Sequence, residues 1–246
     1  MTGTLYGLGV GPGDPELLTL KAHRILKEAP VVAYPAPDSG ESFARAIVAE
    51  TLSPFQHEIP IVVPMRTQRF PAAEIYDEAA SEIASHLDKG HDVAVLCEGD
   101  PFFYGSFMYL FERLGGDYPT EIVPGVSSVM ASAAALRRPI AARNDVLTVI
   151  PGPLPDAEME ARIGAADAVA IMKVGRHFAR IRSVIGRMGL LADAGYCERV
   201  SLPEEKILPL ESVTADTAPY FSMILIYKGA EDWIRALPAG KPLDVR

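Results

Sequence analysis

Five short apolar runs alternate with helical periodicity between Leu5 and Val123, and this alternation narrows the possible folds more than any other feature of the chain. Leu5 to Val10 reads as a buried strand, and Gly11-Pro12-Gly13 then turns the chain into a helix predicted over Pro15 to about Glu28. Asp14 is a good N-cap, Pro15 suits the first helical position and Glu16 complements the helix dipole. Strand character returns at Val31-Val32-Ala33-Tyr34, at Glu58 to Val63, at Val93-Ala94-Val95-Leu96 and at Glu121-Ile122-Val123. Helical spacing fills Phe43 to Leu52 and Pro71 to Leu87. Strands separated by helices must run parallel, so the first half is expected to form a mostly parallel sheet.

The rhythm restarts after a helix expected from Val126 to about Leu136. Val146 to Ile150, Ala168 to Met172 and Met223 to Tyr227 read as strands, and Phe178, Ile181, Ile185 and Met188 form the apolar stripe of a helix. The chain is therefore expected to be α/β with two α/β domains, residues 1–141 holding a mostly parallel sheet and residues 142–246 a mixed one. Its 246 residues, 49% of them hydrophobic, suffice for two cores.

Charge and cysteine usage exclude several classes. A net charge of −9 argues against a protein that tracks nucleic-acid phosphates. Two cysteines, Cys97 and Cys197, lie far apart with no C-x-x-C, and the five histidines are scattered, so no metal site is expected and a reducing cytoplasm fits. No apolar run approaches the length of a membrane span, and the amino end has no export signal, so no membrane partner is expected.

The chemistry is carried by loops at predicted strand ends, where open α/β sheets bind ligands. Gly99-Asp100-Pro101-Phe102-Phe103-Tyr104-Gly105 combines two glycines that permit close backbone approach, a carboxylate and three flat aromatic side chains. Pro124-Gly125-Val126-Ser127-Ser128 offers backbone N–H and hydroxyl groups at a helix start. Gly7-x-Gly9-x-Gly11 matches the core of a dinucleotide fingerprint. Pro12, however, stands where that motif needs a further glycine, and the second strand ends at Tyr34-Pro35 without the acidic ribose partner. An NAD(P)-dependent oxidoreductase is accordingly the weaker reading. A turn that simply delivers the chain into a capped helix also accounts for the glycines.

Taken together, residues 7–22, 99–105, 124–128 and Met172 resemble the tetrapyrrole methyltransferases of vitamin B12 and sirohaem synthesis, over nearly the whole chain. Residues 99–110 are most similar to the branch that methylates carbon 20 of the macrocycle. The resemblance implies S-adenosylmethionine as methyl donor, S-adenosylhomocysteine as product and a cofactor lying in the cleft between the two α/β domains. It implies cofactor contacts from Pro12, Gly99, Asp100, Phe103, Ser127, Ser128 and Met172. Asp100 is also the candidate catalytic residue, as a general base, if it does more than bind. The implied substrate is a tetrapyrrole polycarboxylate, free of cobalt or containing it, and the implied assembly a homodimer. Tyr104 is expected to wall the macrocycle. Arg138 and Lys173 are expected to meet its carboxylates, with Arg66, Arg69, Arg137, Arg143 and Arg176 as further cations.

Overall fold

The computed structural model describes residues 1–63 and 72–235. Arg66 and Arg69 fall outside the described residues. The described chain divides into two compact units, Met1–Ser127 and Ser128–Arg246.

The first unit is a three-layer sandwich. Its strands are β1 (Leu5–Gly9), β2 (Val31–Ala36), β3 (His57–Val62), β4 (Val93–Cys97) and β5 (Thr120–Val123), and its helices are α1 (Leu20–Glu28), α2 (Phe43–Ile47), α3 (Ala72–Leu87) and α4 (Phe107–Leu114). The strands pair in the order β3-β2-β4-β1-β5, every pair parallel. Period-two alternation serves both faces. Val93, Val95 and Cys97 of β4 pack with α3 and α4 residues such as Ile83, Leu87, Phe107 and Leu110. Ala94 and Leu96 pack with Ile25 and Leu26 of α1 and with Ala44 and Ile47 of α2. A sheet covered on both faces explains why these strands read as unbroken apolar runs.

Two local features depart from the expected elements. The helix predicted from Pro15 is split: Asp14 caps a single 3-10 turn at Pro15–Leu17, Leu18 is extended, and Thr19 caps α1 afresh by accepting from the Ala22 N–H at 3.1 Å. Two capping residues five positions apart each satisfy orphan donors, and the chain uses both. β2 also continues through Pro35, where β4 no longer pairs with it, so the missing proline N–H leaves no gap in the ladder.

The second unit contains α5 (Ser128–Ala135), β6 (Leu147–Pro151), α6 (Asp156–Ala165), β7 (Ala168–Met172), α7 (Phe178–Arg187), β8 (Ala194–Glu198), β9 (Lys206–Pro209), β10 (Ser222–Tyr227) and α8 (Asp232–Arg235). Its sheet has the order β6-β7-β10-β8-β9. β6 is parallel to β7, β10 runs against both β7 and β8, and β9 runs against β8, so the sheet is mixed as expected. Met159 and Ile163 of α6 and Phe178, Ile181 and Ile185 of α7 cover one face.

The units divide between Ser127 and Ser128, whereas the sequence reading sets the boundary at 141/142. The reason lies in α5. Leu136, just past its end, packs where Gly195 of β8 has no side chain, and the Ser132 carbonyl accepts from the Cys197 thiol at 3.8 Å. The helix after β5 thus packs on the second sheet.

Candidate functional site

In the first unit three strand ends converge through glycine. Gly9 ends β1, Gly99 lies two residues past β4 and Gly125 lies two past β5. A Cβ built on Gly125 would fall on the Gly99 carbonyl oxygen, and one built on Gly9 would meet the Gly125 backbone. Side chains are excluded here by backbone, which cannot move aside. Gly11 and Gly99 form an antiparallel bridge, the Gly99 N–H donating to the Gly11 carbonyl at 2.8 Å. Their φ values of +81° and +65° are ones only glycine adopts readily. Pro12 follows this bridge directly and is buried.

Asp100 is tied into the same junction. Its Oδ1 accepts from the Phe102 and Phe103 N–H groups at 2.9 and 3.1 Å, and its Oδ2 accepts from the Gly125 N–H at 3.1 Å. One carboxylate thus closes its own turn and ties it to the segment that ends in Ser127. Pro12, Gly99, Asp100, Phe103, Tyr104 and Ser127 are therefore brought together where β1, β4 and β5 finish.

The aromatics divide within the loop. Phe102 is exposed and packs edge-on against Phe111 of α4, with ring centroids 5.3 Å apart, whereas Phe103 is half-buried and meets Tyr104 at 5.3 Å in a T-shaped pair. Tyr104 has φ +59°, a left-handed conformation that a bulky residue adopts only under constraint. The next residue, Gly105, has no room for a Cβ against the carbonyls of Asp100 and Pro101. Below the loop, burial raises the Glu98 carboxyl above its ordinary value, opposed by hydrogen bonds from its own N–H and that of Ala44. Burial likewise pushes the Cys97 thiol up to about 12, which leaves it unreactive.

The second unit places its candidates at both ends of its sheet. Ser128 opens α5, Met172 ends β7, and Lys173 follows it at φ +56° with its side chain exposed. Arg138 lies elsewhere: its Nη1 donates to the Asp193 carbonyl at 2.7 Å and its Nε to that of Ile234 at 3.4 Å. Asp193 precedes β8, and β7 and β8 run the same way, so Arg138 and Lys173 are separated by the length of the strands, roughly 15 Å. Arg138 is held by backbone carbonyls at the starting end of β8. Arg143 is paired with Glu231 at 2.9 Å, and Arg137 is the left-handed residue that closes α5. Arg176 is exposed on the turn after Lys173.

Sequence reasoning missed the role of Gly9 and Gly125 as mutual packing partners. The Gly7-x-Gly9 spacing is a signal for Gly9, read above only as turn chemistry. Among the described residues no group of His, Cys, Asp and Glu is arranged to hold a metal, and no helix is long and apolar enough to cross a membrane.

The model of the family of tetrapyrrole (corrin/porphyrin) methylases matches residues 4–214. The cobalamin biosynthesis protein CobIJ of Mycobacterium tuberculosis is 43% identical over 246 residues, covering 97% of the chain but 48% of that protein, so the chain spans about half its length. The precorrin-2 C(20)-methyltransferase of a Sinorhizobium species is 38% identical over 91% of the chain and 95% of its own. The cobalt-precorrin-2 C(20)-methyltransferase of Salmonella typhimurium is 33% identical over 93% and 98%. Among solved structures, the uroporphyrin-III C-methyltransferase of Thermus thermophilus in complex with S-adenosylhomocysteine superposes with a TM-score of 0.64 at 27% identity, covering 91% of the chain and 97% of that structure.

Proposed function

The chain belongs to the tetrapyrrole (corrin/porphyrin) methylases, and on that premise we propose that it transfers a methyl group from S-adenosylmethionine to carbon 20 of precorrin-2, giving precorrin-3A in cobalamin biosynthesis. The likeness along nearly the full length of both chains to the Sinorhizobium carbon-20 enzyme carries this reading. Cobalt-precorrin-2 is the second substrate to test, because the Salmonella relative is named for it.

The residues of the first unit fit such a donor. Where Gly9, Gly99 and Gly125 converge, the absence of side chains lets the three strand ends close together, so that the loops following them share one end of the sheet. When bound, S-adenosylmethionine supplies a methyl already activated by its sulfonium, so that attack by an electron-rich ring carbon breaks the S–CH3 bond and leaves S-adenosylhomocysteine. The chain's own contribution is alignment and exclusion of water. Gly99 and Phe103 present loop carbonyls as weak C–H···O acceptors, and Pro12 and the Phe103 ring wall the donor. Ser127 and Ser128 offer hydroxyl donors to its polar ends, and Met172 adds apolar contact. Asp100 acts as a positioning residue, because three backbone N–H groups already occupy its oxygens. Tyr104 walls the macrocycle and Lys173 meets a carboxylate, while Arg138 holds its strap to the sheet.

The protein is further expected to work in the cytoplasm as a homodimer, which light scattering would check. Incubation with donor and either precorrin-2 or cobalt-precorrin-2, followed by mass spectrometry, tests the activity. One added methyl on one of them is expected, and no gain on either would overturn the reading.

A further inference from the structure

Three of the chain's five histidines, far apart in sequence, stack at the amino end of the first sheet, and no role assigned above uses them. His57 opens β3, His86 lies in the last turn of α3, and His91 stands in the connection to β4. The His57 and His86 rings have centroids 4.8 Å apart and are tilted by 33°, and the His86 and His91 rings are 6.0 Å apart and tilted by 35°. His86 is therefore the middle ring. The backbone fastens the same corner, the His86 carbonyl accepting from the Lys89 and His91 N–H groups, each at 3.1 Å.

The middle ring has the poorest surroundings for a charge. His57 and His91 are exposed to water, and the His57 Nε2 lies 4.0 Å from a Glu82 carboxylate oxygen. The Nδ1 of His86, by contrast, is buried, and no hydrogen-bond partner reaches it among the described residues. A proton held there would be a buried donor without an acceptor. The groups that face the ring are His57 from β3, Glu82 from the preceding turn of α3, and Lys89 and His91 from the connection, so that one carboxylate stands against three groups that are cationic in acid. A place in the last turn of a helix favours a cation, but burial and these neighbours prevail and hold the His86 imidazole below its ordinary value of 6.5.

We propose that the stack of His57, His86 and His91 is an acid-sensitive latch, which holds the last turn of α3 against the starts of β3 and β4 while its rings are neutral and releases that turn when they gain protons. Ile83 and Leu87, both fully buried against β4, keep the rest of α3 in place, so the opening is confined to the helix end. In the open form His86 meets water and binds a proton at the ordinary histidine value, whereas in the closed form it does so only below it. The closed form thus binds fewer protons, and acid favours opening. Its advantage is intact above the ordinary value of 6.5 and is lost as pH falls through that value toward the folded one.

The test is hydrogen exchange read by mass spectrometry at about pH 7.5 and about pH 5.5, either side of the ordinary histidine value, and corrected for the intrinsic chemical rate. Peptides covering residues 84–92 report the latch, and those covering α1 serve as the control. On acidification the wild-type opening constant of residues 84–92 is expected to rise roughly three- to tenfold, and that of α1 to change by less than about twofold. His86→Phe keeps a flat ring that does not titrate and is expected to abolish the rise. His57→Gln with His91→Gln, both at exposed rings, is expected to diminish it, which carries the test even where the phenylalanine variant does not fold. His23→Gln, at an exposed position on α1 outside the stack, leaves the rise unchanged. No rise in the wild type, an equal rise in α1, or an undiminished rise in His86→Phe or in the double variant would overturn the proposal.

Discussion

The two units end their strands in opposite ways. In the first, left-handed turns at Gly11 and Gly99 are made by glycine, and three strand ends close on one another with backbone alone. In the second, the corresponding turns after β7 and β8 are made by Lys173, Arg199 and Ser201, with side chains where glycine would be cheaper. The first unit thereby draws its strand ends close together, and the second carries charged side chains in its turns. Tyr104 is the exception that joins the two styles, an aromatic in a left-handed turn within the glycine-built loop.

The largest expected effect comes from breaking the glycine junction. Gly125→Ala would drive a methyl onto the Gly99 carbonyl and is expected to cost about 3 kcal/mol or more in urea unfolding, with loss of S-adenosylhomocysteine binding. Gly116→Ala, with nothing within 4 Å of the added carbon, is the neutral control. Next comes Asp100→Ala, which strips acceptors from three backbone N–H groups. It is expected to cost about 2 kcal/mol and to weaken S-adenosylhomocysteine in calorimetry, with Asp100→Asn retaining part of both. Full affinity in the alanine variant would remove Asp100 from the site.

Smaller shifts sharpen the contrast from the other side. Lys173→Gly relieves a left-handed backbone and is expected to leave the thermal midpoint unchanged or to stabilise by up to about 1 kcal/mol, while tetrapyrrole binding weakens. A clear destabilisation would mean that the side chain serves the fold. The smallest effect is a pH dependence at Glu98. Its folded-state carboxyl titrates above the ordinary value, so wild-type stability declines as pH rises through that raised value. Glu98→Gln, which does not titrate, should be the more stable protein at pH 8, and the difference should close as pH falls toward the ordinary glutamate range.

How much of this was legible follows the same division. The five parallel strands announce themselves because burial on both faces demands unbroken apolar runs, and all five fall where alternation puts them. β8 and β9 do not. Ala194-Gly195-Tyr196-Cys197-Glu198 carries a glycine that admits Leu136 and a buried glutamate satisfied by Tyr196 and Lys206, and neither is a strand signal. β9 is a short, largely exposed strand at the sheet's edge. The loops were found because glycine, proline and aspartate have local chemistry. What went unread depends on partners distant in sequence: Gly125 against Gly9, Arg138 against Asp193, Arg199 beside Phe221. Tyr104 illustrates the limit, since nothing in Phe102-Phe103-Tyr104 announces which of three aromatics takes the left-handed turn.

The most direct measurement is a transfer reaction run with S-adenosylmethionine labelled with carbon-13 at the methyl, with the tetrapyrrole product read by NMR. One enriched methyl, bonded to carbon 20, is expected. Label on any other ring carbon, or none, would contradict the proposed transfer.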